Sequence, residues 1–264
     1  MSKRNWSPYL IVGAVLLYLL LPLLATLLYS FSTKWQATIL PENWTFEWFQ
    51  TVLRDERFWI ALGRSFTVCC LTLAVHIIVM VPTAFLIAVY FPKLEKVMNV
   101  LVMLPFAMPG VVMAVGLLKL YSSGPLPIAG TVWILIGSYF TVGLPYMYQG
   151  IRNSLKNMDL HTLMEAAELL KATKVKAFLY VVLPNISKGV LVATLLTFSV
   201  LFGEFVLANI LAGGGYETIQ VYLYSKNQAS GHFTSVIVIS YFVFIALISG
   251  IIIKLNSLAN KEAQ

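Results

Sequence analysis

Side chains able to do chemistry are few in this sequence, and none are spaced for catalysis. The three histidines are His76, His161 and His232, and the two cysteines, Cys69 and Cys70, are adjacent. Adjacent cysteines cannot form an ordinary disulfide, and inside an apolar run they behave as small hydrophobes. One histidine in an apolar run, with two more in other segments and scattered acids, does not assemble the ligand set of a metal site. No nucleophile stands at a recognisable spacing from a base. No Gly-Lys dipeptide occurs, so the chain lacks a G-x-x-x-x-G-K-S/T phosphate loop. No catalytic residue, metal ligand or cofactor of its own is therefore expected. Two carboxylates stand out: Glu204, set inside an apolar run, and Glu165, which opens the polar stretch EAAELLKATKVKAFLYVVLP.

The elements that must hold these residues are apolar. Of 264 residues, 59% are hydrophobic and 11% charged, and the mean hydropathy is +0.83. An ordinary soluble domain carries about 25% charge. Segments 5–33, 65–92, 97–118, 120–151, 189–203 and 227–253 lack Asp, Glu, Lys and Arg. A bilayer core needs roughly 20 apolar residues in a helix, and all but the fifth run suffice alone. The fifth is extended to Tyr216 if Glu204 is tolerated within the span. An all-α, polytopic integral membrane protein of six transmembrane helices is predicted, near 9–30, 66–90, 97–121, 128–150, 187–212 and 233–255. The first run is too long for a cleavable signal sequence, so it reads as a retained helix.

With both termini on the cytoplasmic side, twelve Lys and Arg lie inside and six outside, in the sense of the positive-inside rule. The inside set includes Lys3, Arg4, Lys93, Lys96, Arg152, Lys156, Lys171, Lys174, Lys176 and Lys188. The net charge of +7 is then explained by the anionic inner leaflet. No soluble basic domain is left to bind nucleic acid, and membrane lipid is the expected surroundings. Outside, Trp35, Trp44, Phe46, Trp48 and Phe49 suit an interface. Thr45 can cap a short amphipathic helix there.

The polar stretch is predicted to be a cytoplasmic helix. Leu160, Leu163, Met164, Ala167 and Leu170 fall on one face, Asp159 can cap the start, and Glu165, Glu168 and Lys171 take the other side. A short helix with one apolar face packs on the membrane surface or fills a partner's groove. Both readings stand on the residues alone.

Glu165-Ala166-Ala167, then Ala172, then Leu183-Pro184 with Pro184 19 positions after Glu165, resemble the EAA loop of ABC importer membrane subunits. Supporting matches are the prolines of the third helix, Leu144-Pro145-Tyr146 and Gly203-Glu204-Phe205. The chain is similar to type I permeases, most of all those of spermidine and putrescine importers. That resemblance implies a single permease domain over 1–264 with a coupling loop at about 151–186. Leu163, Met164, Glu165, Ala166, Ala167, Leu170, Lys171 and Ala172 would contact a separate ATP-binding cassette ATPase dimer, which binds ATP and Mg. It further implies a second permease subunit as a heterodimer, an extracytoplasmic substrate-binding protein and the bacterial inner membrane. The solute would be small and polar, such as a polyamine, with aminoethylphosphonate, ferric ion or thiamine as alternatives. A stand-alone carrier or channel is the competing class. Lys171 replaces the glycine of the family pattern, where glycine permits a turn. The helix then either turns there at a cost, runs on, or turns differently.

Pro105, Pro109 and Pro145 interrupt apolar runs. Proline removes a backbone donor, and at membrane depth broken backbone is packed in protein or lines a wet cavity. A substrate route past these breaks, or bending for packing alone, are the two readings. A charge at the bilayer centre costs on the order of 2.5–3.5 kcal/mol, so Glu204 needs an offset. A gate or structural role, direct substrate contact and a helix-end position all remain open for it. The Gly213-Gly214-Gly215-Tyr216 turn follows on the outer side and suits either a binding-protein contact or a plain flexible link.

Overall fold

The computed structural model describes residues 7–35, 38–123, 125–226 and 230–262, so Lys3 and Arg4 lie outside the described residues. Helices follow in the order α1 (Ser7–Ser30), α2 (Glu47–Arg54), α3 (Glu56–Val89), α4 (Glu95–Ala107), α5 (Gly110–Tyr121), α6 (Val132–Lys156), α7 (Leu160–Leu169), α8 (Lys174–Ala177), α9 (Leu183–Phe202), α10 (Ile219–Lys226) and α11 (Gly231–Glu262). No strand forms among the described residues beyond a single bridge, Ser32 to Trp44. Four helical stretches are long and apolar enough to cross a membrane: Tyr9–Ser30, Glu56–Val89, Lys174–Phe202 and Gly231–Lys254. The pair α4 and α5 makes a fifth if its two arms are one span.

Two expected helices are divided. The third breaks at Met108-Pro109, and its arms are bent by 96°. Proline at 109 cannot donate, and Met108 turns extended to close α4. The fifth begins earlier than expected, running unbroken from Lys174, and stops at Phe202. A separate turn, Ala208–Ala212, follows the Gly203-Glu204 break. The expected fourth crossing is α6, which is 25 residues long but is not among the stretches apolar enough to cross. Its Gly, Ser, Thr, Pro and Gln residues dilute its apolar character.

The described chain falls into two compact units. The first contains α1, α2, the opening turns of α3, the end of α10, and α11. There α1 and α2 pack on α11, and the His232 ring is stacked between Tyr29, at 4.0 Å, and Trp48, at 5.7 Å. Thr45 Oγ accepts the Glu47 N–H at 3.2 Å, and the short helix starts at Glu47 with Phe46 at the N-cap, one residue later than a Thr45 cap places it. Asp55 accepts from Tyr222 OH at 2.7 Å and pairs with Lys226 Nζ at 3.2 Å.

The second unit, Gly63–Val221, is built around α6. Its contact with α9 is the most extensive between any two elements. Side chains at Gly150 and Gly189 would run into Ala193 and Ser154 respectively, so these two glycines set how closely α6 and α9 approach. His76 of α3 is fully buried against α6. Its ring is stacked on Phe140 at 4.4 Å, with Nε2 2.9 Å from Phe140 O and Nδ1 3.1 Å from Thr72 O. At the other end of α6, Arg152 Nε and Lys156 Nζ share Glu95 Oε1 of α4, at 2.6 and 3.0 Å.

Candidate ATPase-docking site

The polar stretch folds as two short helices joined by a tight turn. Asp159 caps α7 by accepting the Thr162 N–H at 3.2 Å and the Thr162 hydroxyl at 2.7 Å. Those bonds, chiefly the hydroxyl's, hold the Asp159 carboxyl below its ordinary range. On the inner face, Leu160, Leu163 and Met164 are half-buried and Ala167 is buried. The helix ends with the Lys171 N–H donating to Glu168 O at 2.8 Å and the Ala172 N–H to Ala167 O at 3.0 Å. This is the paired closure of a Schellman turn. Its pivot is Lys171, with φ of 57°, the only described residue other than glycine with positive φ. The motif's glycine position thus keeps its turn although glycine is absent.

Beyond the turn, Thr173 caps α8 by accepting the Lys176 N–H at 3.3 Å. The helix then widens into a π-turn, Phe178–Val182, closed by the Leu183 N–H on Phe178 O. Pro184 follows at once. It has no N–H for Tyr180 O, and a widened turn accommodates the missing donor. The Leu-Pro end of the motif therefore places the joint between the polar stretch and α9.

The tip of the turn exposes apolar side chains. Leu169 is 85% and Leu170 83% exposed, and Val175 is exposed beside them. Glu165, Ala166, Glu168 and Lys171 are exposed as well, and Ala172 is half-buried. Glu165 Oε1 lies 3.1 Å from His161 Nδ1. Between α7 and the end of α3 opens a cleft of about 550 Å³, with Glu165, Met164 and Lys174 in its lining. Lys174 Nζ sits 4.8 Å over the Tyr90 ring. The face Leu160, Leu163, Met164, Ala167 is turned into the protein, whereas Leu170 is not part of that face. The tip residues Leu169 and Val175 were not singled out from the sequence. An apolar pair straddling the end of a helix, just before a turn residue, is the signal that finds them.

The pathway candidates are drawn together in the second unit. Glu204 opens the segment after α9: its carboxylate oxygens accept the Leu207 N–H at 3.0 Å and the Ala208 N–H at 3.1 Å. Tyr139 OH of α6 donates to Glu204 O at 3.3 Å. The carboxylate thus sits on unfilled donors at the start of a helical turn, which offsets its burial. Pro109 caps α5, and a side chain added at Gly110 would lie 3.7 Å from Val206. The elbow with Pro105 and Pro109 therefore lies beside the Glu204 break. Pro145 is buried within α6, six residues beyond Tyr139.

This chain belongs to the binding-protein-dependent transport system inner membrane components, whose family pattern matches residues 80–257. It is an inner membrane permease of the ABC importer class, multi-pass and non-catalytic as the family is. Among its relatives is the Salmonella typhimurium protein provisionally named 2-aminoethylphosphonate transport system permease protein PhnV, 26% identical over 96% of this chain and 95% of that protein. The putrescine transport system permease protein PotI of Escherichia coli K12 is 26% identical over 83% of this chain and 80% of its own length. A chain of a bacterial ABC transporter involved in import of the acidic polysaccharide alginate has the same fold. Its TM-score is 0.71 at 16% identity, covering 96% of this chain and 98% of that one.

Proposed function

We propose that the tip formed by α7, the Lys171 turn and α8 seats in a groove of a separate ATPase subunit, so that closure of an ATPase dimer moves the α9 span through the π-turn. The ATPase supplies the ATP and Mg sites. A second permease chain completes the pathway as a heterodimer, and an extracytoplasmic binding protein delivers the solute. Both termini are cytoplasmic on this reading, which is the side favoured by the Lys and Arg distribution. The solute is small and polar and carries an amino group, of the polyamine or aminoethylphosphonate kind named for the relatives. The observation that carries the docking assignment is the exposure of Leu169 and Leu170 on a turn held by two backbone bonds.

Burying one leucine side chain is worth about 1.5–3 kcal/mol. Leu170→Asp is expected to weaken ATPase co-purification by at least about tenfold, with insertion and yield unchanged. Wild-type recovery of the ATPase with Leu169→Asp and Leu170→Asp combined would refute the docking assignment.

A further inference from the structure

A seam of polar contacts joins α4 to the end of α6, beside the docking helix. Glu95, in the first turn of α4, takes three nitrogens on one oxygen: Arg152 Nη2 at 2.5 Å, Arg152 Nε at 2.6 Å and Lys156 Nζ at 3.0 Å. One turn further along α4, Asn99 Oδ1 accepts from Gln149 Nε2 at 3.4 Å, and Gln149 Oε1 accepts from Arg152 Nη1 at 3.5 Å. Towards the elbow, the Phe106 and Tyr146 rings meet edge to face at 5.4 Å. On each helix these residues recur at helical spacing, so one side of α4 carries the whole seam.

Apolar packing does little to fix α4, since Val102 is its one buried residue. An isolated surface ion pair contributes little, but charges joined in a network carry weight. The Arg152 and Glu95 side chains are only 24% and 32% exposed, so water screens them in part. The same end of α6 leads directly into the docking helix. Only Asn157, Met158 and Asp159 separate Lys156 from α7, and the Asn157 N–H to Asn153 O and Met158 N–H to Leu155 O bonds keep that link short and stiff. A cavity of about 180 Å³ has Glu95, Arg152, Lys156, Met158 and Leu160 in its lining, so the clamp and the first residue of α7 border one free space. We propose that Glu95, gripped by Arg152 and Lys156, is a positioning residue that makes α4 follow the end of α6, so that a displacement of the docking helix reaches the elbow at Pro105 and Pro109. This rests on the ATPase-docking reading and adds to the route through α9 a second one, through α6 and α4.

The elbow reports on this in the assembled transporter in nanodiscs, through a Met108→Cys parent with Cys69 and Cys70 replaced by alanine. The measurement is the rate of labelling by a water-soluble maleimide with and without AMP-PNP, a non-hydrolysable ATP analogue. The two rates are expected to differ in the parent. Glu95→Ala is expected to make them equal, with ATPase recovery and ATP hydrolysis kept at the level of the parent. Exchanging the charges, Glu95→Arg with Arg152→Glu, is expected to restore the difference, which a role in packing alone would not. Nucleotide dependence retained by Glu95→Ala, or equal rates in the charge-exchanged pair with its ATPase recovered, would overturn the clamp. Equal rates in the parent with ATPase bound would also overturn it and leave the docking reading standing. A parent that recovers no ATPase would refute the docking reading and this inference with it.

Discussion

Lys171 shows how a motif position outlives its motif residue. A residue with a Cβ in the left-handed region costs about 1–2 kcal/mol relative to its usual conformation, yet Lys171 takes φ of 57°. The two closing bonds and the burial of Ala167 hold it there. Lys171→Gly is therefore expected to stabilise the turn by about 0.5–1 kcal/mol and to keep ATPase binding, as read by slower amide exchange at Ala172. Faster exchange would mean that the lysine side chain itself supports the turn. The spacing from Glu165 to Pro184 marked this position in the sequence, because a fixed separation between an acid and a Leu-Pro step survives a substitution between them, but it left open whether the chain turns at Lys171 or runs on as helix. Glu204 was legible only as a charge needing an offset. Its partners are backbone N–H groups three and four residues on, and a sequence cannot show that a helix restarts there. Glu204→Gln should speed exchange at the Leu207 and Ala208 amides about tenfold, the loss of a charge-assisted bond; unchanged exchange would leave the cap without energetic weight.

At the scale of elements, the divided helices follow from residues that pattern alone reads as continuous apolar runs. Pro109-Gly110 ends one arm and starts another, and Gly203-Glu204 does the same after α9. Hydropathy sums across such breaks, so the third and fifth spans read as single helices. By contrast α2 was readable, since Thr45, Glu47 and the Phe49 to Leu53 stripe are local signals. The tie from the α2–α3 junction to α10 was not readable, because it rests on Asp55 with Tyr222 and Lys226, far apart in sequence. Burial pushes the Asp55 carboxyl up, but the bonds from Tyr222, Lys226 and the Arg57 N–H outweigh it, and the group stays below its ordinary 3.8. A depressed folded value means that the join contributes fully above pH 3.8 and is lost as pH falls through the lower folded value. Asp55→Asn should lower the thermal midpoint at neutral pH, with the gap from wild type closing in acid below that range. A gap independent of pH would assign the effect to packing.

At the scale of the molecule, one irregular stretch of the second unit is left uncovered. The elbow from Phe106 to Gly110 is exposed throughout, although it lies between two apolar arms bent by 96°. Carbonyls released at such a break cannot face hydrocarbon, where each unsatisfied group costs several kcal/mol. Another protein chain or a water-filled route must therefore meet this surface. The exposed Tyr9–Ser30 helix carries no such demand, since its backbone bonds are internal and lipid satisfies its side chains. The expected six spans and the elbow are thus read by one rule, that backbone at membrane depth must be paired or covered. If the proposed second permease covers this surface, a single cysteine in place of Met108, with Cys69 and Cys70 replaced by serine or alanine, should cross-link to it within the assembled transporter. It should also be labelled by a water-soluble maleimide more readily when ATP is bound or when it is absent, according to which state opens the route. Labelling by a lipid-dissolved maleimide alone, with no cross-link, would put the elbow in hydrocarbon and remove both the pathway assignment and the need for a covering chain.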